Sequence, residues 1–91
     1  MEIIKILGNN LAEKINISSP AGRGLIKLAI KDEVGPFKPL NQLEFIDFKN
    51  SIANSLKMRL EQLEISSTSE IIDLLLDKLT KNQSLITIGA V

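Results

Sequence analysis

Gly24-Leu25-Ile26-Lys27-Leu28-Ala29-Ile30-Lys31 is the stretch on which the fold class turns, because it reads two ways. Ile26, Leu28 and Ile30 alternate with their neighbours, as one face of a β-strand does. At about 100° per residue, Ala21, Leu25, Leu28 and Ala29 instead share a helical face. The residues just upstream favour the helix: Ser19 suits a cap and Pro20 suits the first helical position. Gly22 and Gly24 oppose it, since each costs a helix about 1 kcal/mol relative to Ala.

The same ambiguity runs toward the N-terminus. Ile3, Ile4, Leu7, Leu11 and Ile15 fall on one helical arc about 120° wide. Gly8, Asn9 and Asn10 interrupt it and leave a rival reading, a strand at 2–7, a turn and a short helix capped by Asn10 with Glu13. One helix is preferred.

Val34-Gly35-Pro36-Phe37-Lys38-Pro39 breaks the chain, and neither side is long enough to fold alone, so 1–91 is read as a single domain with a linker between two helical hairpins. Beyond it, helical signals strengthen. The spacing predicts a helix from Asn41 to about Leu63, capped by Asn41 with Glu44. Its apolar stripe is Phe45, Phe48, Ile52, Leu56, Leu60 and Leu63, widened by Ile46 and Ala53. After a polar turn at Ser66–Ser69, Ser67 and Glu70 repeat the capping pattern. A helix over about 68–81 follows, with Ile71, Ile72, Leu75, Leu76 and Leu79 on one side. The uncharged tail from Ser84 to Val91 fits a helical turn or a strand.

The expected fold is therefore all-α, a small bundle of four to five helices in two hairpins. That arrangement is loosely like saposin-type folds, although the cysteines that staple those folds are missing. The alternative is α+β, with a small sheet from 2–7, 25–31 and 84–90.

Composition narrows function by what is missing. The 91 residues include no His, Cys, Trp or Tyr. Zinc, haem and iron–sulfur sites draw on Cys or His, and thiol and imidazole chemistry need them outright. Ser18, Ser19, Ser66, Ser67 and Ser69 have no basic partner pattern to activate them, so capping and turn formation are their expected roles. No enzymatic activity and no cofactor are expected. There is neither a signal-peptide pattern nor a membrane-spanning run, and the expected location is cytoplasmic.

Net charge is zero but unevenly spread. Lys14, Arg23, Lys27 and Lys31 are the only charges from 14 to 31, and Glu61, Glu64, Glu70, Asp73 and Asp77 the only ones from 61 to 77. Complementarity within the fold is the simplest reason, and steering of a partner is the other. Glu70, Asp73 and Asp77 stack on one helix side, a candidate site for a weakly held divalent cation such as Ca²⁺, with Glu61 and Glu64 as possible further ligands. No EF-hand loop is present, and a solvated face is the preferred reading.

Arg23, Lys27 and Lys31 recur every four residues, a candidate contact for nucleic acid or another anion. The zero net charge and the absence of Trp and Tyr count against it. Gly22-Arg23-Gly24 lacks the spacing of a phosphate loop. The Leu85–Val91 tail either packs over its own bundle, the preferred reading, or engages a partner. The leading functional expectation is a small helical protein-binding module, an accessory subunit. Cation binding and nucleic-acid binding are the alternatives.

Overall fold

The computed structural model describes residues 1–90, with side-chain surroundings through Ile86. α1 spans Glu2–Ile15 and α2 spans Ser19–Val34. A 3₁₀ turn at Leu40–Gln42 leads into α3, a continuous helix made of α-helical Phe45–Asn50, π-helical Ser51–Leu56 and α-helical Lys57–Gln62. α4 spans Thr68–Lys81 and α5 spans Gln83–Ala90. The all-α reading holds for the described residues, which contain five helices and no strand. The alternative sheet is overturned, since 2–7, 25–31 and 84–90 all lie in helices. Val91 of the tail lies outside the described residues.

The glycines that argued against the first two helices are what lets them touch. A Cβ on Gly22 would collide with the Gly8 carbonyl oxygen and come within 2.8 Å of Ala12 Cβ. A Cβ on Gly8 would meet the Arg23 backbone at 2.6 Å. Bare backbone at both positions therefore brings α1 and α2 into direct contact. That contact also turns α2. Its buried face is Gly22, Ile26, Ala29 and Ile30; of the expected Ala21, Leu25, Leu28 and Ala29, Ala29 is buried, Leu25 is half-buried against the core, and Ala21 and Leu28 are exposed. Gly22 has no side chain, so apolar spacing does not register it as part of the inner face.

The caps shift as well. The α2 cap is Ser18, whose Oγ accepts from the Ala21 N–H at 3.2 Å, and Ser19 is already helical. Asn41 sits in the 3₁₀ turn, and the α3 cap falls three residues later than predicted, at Glu44, with Phe45 the first helical residue. The Ser67 side chain makes no capping bond.

The π segment of α3 has a cause in the spacing. Phe48, Ile52, Leu56 and Leu60 are buried and each four residues apart. In a pure α-helix each such step overshoots a full turn by about 40°, so the stripe would wander about 120° over three steps. The wider turn of an i→i+5 helix takes that drift back and keeps all four facing the core. Buried Ser51, at the start of this segment, donates from its Oγ to the Asp47 carbonyl at 2.6 Å. The stripe stops at Leu60. Ile46 and Leu63, its expected extensions, are exposed, and Leu63 lies beyond the last helical residue.

One hydrophobic cluster joins α1 to α5, from Ile3 through Ile26, Phe48, Leu56 and Leu75 to Ile86. Across α2 and α3, Ser55 Oγ donates to Glu33 Oε1 at 2.8 Å, and Arg59 Nε donates to Asp32 Oδ2 at 2.6 Å.

Candidate interaction surface

The break between α2 and α3 forms a rigid corner. Gly35 adopts a φ of 84°, a value that suits a residue without Cβ, and its N–H closes α2 by donating to the Lys31 carbonyl at 2.9 Å. Pro36 and Pro39 then restrict the backbone on both sides of Phe37 and Lys38. The far side of the corner is tied to the start of α3. Lys38 Nζ donates to Asp47 Oδ2 at 2.8 Å, and the Glu44 N–H donates to the same oxygen at 2.9 Å. Partial burial pushes the Asp47 carboxyl up, but these two donors outweigh it and hold the group below the usual carboxylate range. The hydrogen bond to Asp47 in turn raises Lys38.

Phe37 projects from this braced corner 93% exposed. An open groove of about 300 Å³ at the same corner is lined by Lys27, Ile30, Lys31, Pro36, Pro39 and Leu40. In the sequence Phe37 belongs to the linker between the two halves. The available signal was an aromatic residue between two prolines, outside any apolar periodicity.

The basic stripe is split by the fold. Arg23, half-buried, donates from Nη1 to Asn9 Oδ1 at 3.3 Å and packs against Gly8. Lys27 and Lys31 are exposed at the corner groove, and among the described residues neither forms a salt bridge. Gly22-Arg23-Gly24 lies near the start of α2, within the helix.

Glu70, Asp73 and Asp77 lie exposed along α4, and Asp77 Oδ2 pairs with Lys81 Nζ at 3.0 Å. Among the described residues no three carboxylates gather closely enough to hold a metal ion. Glu70 lines one groove with Glu61 and the Ser66–Ser69 turn. It also lines a second, of about 270 Å³, with Lys14, Ser67, Ile71 and Leu74. Lys14 and Glu70, drawn from the basic and acidic stretches, thus face a common groove.

Ser18 caps α2, and Ser66, Ser67 and Ser69 form the turn before α4 and its first residues. Leu85 and Ile86 of the tail pack onto the core. No described helix is long and apolar enough to cross a membrane. No protein-family model, curated protein or solved structure matches this chain.

Proposed function

We propose that this chain is a non-enzymatic helical interaction module, an accessory subunit in a cytoplasmic setting, and that it engages a protein partner through the Phe37 corner. The observation that carries this reading is the 93% exposure of Phe37 on a backbone braced by two prolines. A large aromatic side chain held in water by a stiff loop gives its own fold nothing, whereas aromatic anchors dominate binding energy at interfaces. Two prolines and the Lys38–Asp47 bond restrict the loop, which lowers the conformational entropy lost when a partner covers it.

The alternatives have less support. A nucleic-acid contact would rest on Lys27 and Lys31, because Arg23 is turned onto Asn9. A cation site would rest on exposed carboxylates from one straight helix, where Ca²⁺ takes six to eight oxygens.

A photo-crosslinking residue placed at position 37, with one at exposed Lys49 as control, tests the proposal in cells. A discrete protein adduct from position 37 alone supports it. No adduct, or the same adducts from both positions, overturns it.

A further inference from the structure

We propose that the partner of the Phe37 corner is a second copy of this chain, whose Ile71–Leu74 groove receives the Phe37 ring; this inference rests on the interaction reading above. The receiving groove is lined by Lys14, Ser67, Glu70, Ile71 and Leu74 and encloses about 270 Å³. Small-molecule pockets run to about 300–1,000 Å³, and this groove sits at the small end, with room for one aromatic side chain. Ile71 and Leu74 give it apolar walls, which an aromatic ring covers well.

Charge matches the two surfaces. Lys27 and Lys31 line the corner groove together with Pro36 and Lys38, which flank Phe37 in the chain. Glu70 edges the groove, and Asp73 continues the acidic face along α4. Lys14 opposes an incoming lysine, while Asp77 is engaged by Lys81, so Glu70 and Asp73 supply the attraction. Such pairing steers encounter and fixes orientation more than it adds affinity.

The two surfaces cannot meet within one molecule. Lys14 closes α1, whereas Lys31 lies at the far end of the hairpin in the last turn of α2. α2 has 16 residues, a length of about 24 Å. Knob and groove therefore join different copies. Because they are different patches, the contact is heterologous and extends end to end unless its rotation closes a ring.

Sedimentation equilibrium tests the proposal on the intact chain. The wild type is expected to gain mass with concentration over the micromolar-to-millimolar range, less steeply at high salt. Phe37→Ala, at a position exposed enough to leave the fold alone, keeps the groove and loses the knob. Glu70→Arg keeps the knob and reverses the groove's charge, and Glu70→Gln is a milder second variant that preserves side-chain size.

Each of Phe37→Ala and Glu70→Arg should associate at least about tenfold more weakly than wild type, equivalent to ~1.4 kcal/mol. Mixed, they should form pairs that grow no further, since the one intact knob fits the one intact groove. A wild type that stays monomeric, a Phe37→Ala chain that associates as well as wild type, or a mixture without pairs overturns the proposal. A monomeric wild type that still gives a position-37 adduct to another protein overturns the second copy alone. Loss of that adduct as well overturns the interaction reading with it.

Discussion

Gly22 of α2 lies directly against the backbone carbonyl of Gly8 in α1, so close that a single added carbon would collide with it. This backbone-to-backbone contact sets how deeply the first two helices interlock. It also decides which face of α2 meets the core, turning Ile26 and Ile30 inward and Leu28 outward.

The paired substitutions Gly22→Ala and Gly24→Ala separate packing from helix propensity. Ala at either position gains roughly 0.5–1 kcal/mol of helix stability. At Gly24 nothing lies within 4 Å of the added Cβ, so the gain should appear in full. At Gly22 the new carbon meets the Gly8 carbonyl and Ala12, and such overpacking costs about 1–3 kcal/mol. Urea denaturation should show Gly24→Ala more stable than wild type and Gly22→Ala less stable. Equal effects would remove the close crossing from the account of the hairpin.

The π segment makes a sharper demand. Deleting exposed Asn54 shortens the interval between Ile52 and Leu56 to three residues, giving apolar spacings of four, three and four. That is the pattern a regular α-helix keeps on one face. The deletion should convert Ser51–Leu56 to α-helix, leave Leu56, Arg59 and Leu60 on their partners, and yield a folded protein. Deleting exposed Asp73 from α4 instead rotates Leu75 and Leu79 by about 100° out of the core and should abolish cooperative unfolding. Circular dichroism and thermal melts distinguish the outcomes, and an unfolded Asn54 deletion would show that the π turn does more than correct drift.

These two features mark the limit of what the sequence displays. α4 was legible because Ile71, Ile72, Leu75 and Leu79 carry their burial in side chains with helical spacing. α2 was legible as a helix but not in its orientation, because the residue that sets its inner face, Gly22, has no side chain to count. The start of α3 was misread because Asn41-x-x-Glu44 and Glu44-x-x-Asp47 are both capping patterns. The bonds that Asp47 accepts from Lys38 across the turn and from the Glu44 N–H favour the later start. Phe37 escapes the spacing rules for the opposite reason: they find residues that go inside, and this one stays out, so its signal lies in the flanking prolines instead.

Asp47 gives the corner a pH dependence. Its Oδ2 accepts from Lys38 and from the Glu44 N–H, and its carboxyl sits below the usual range. The unfolded carboxyl titrates near about 3.9. A depressed folded value means the stabilisation is fully present above that pH and is lost as pH falls through the folded value. Asp47→Asn should cost about 1 kcal/mol at neutral pH, as loss of a helix-start bond does. It should also flatten the decline in stability below about pH 4 relative to wild type. Chemical denaturation at neutral pH and at several acidic pH values checks both. A parallel decline in the two proteins would assign the acid sensitivity to other carboxylates.

Calcium provides the last test, because the α4 carboxylates have the right chemistry and an open arrangement. Glu70, Asp73 and Asp77 all face solvent, and Asp77 already holds Lys81. A ligand that binds only the folded state stabilises it by RT ln(1 + [L]/Kd), so a site with Kd well above the calcium concentration leaves stability unchanged. Thermal melts in millimolar Ca²⁺ and in chelator should superimpose. Charge screening by any added cation acts equally for Mg²⁺ and Ca²⁺ at matched ionic strength, whereas a built site discriminates by size and ligand number. A calcium-specific rise in melting temperature that disappears in Asp73→Asn would therefore establish the α4 face as a cation site.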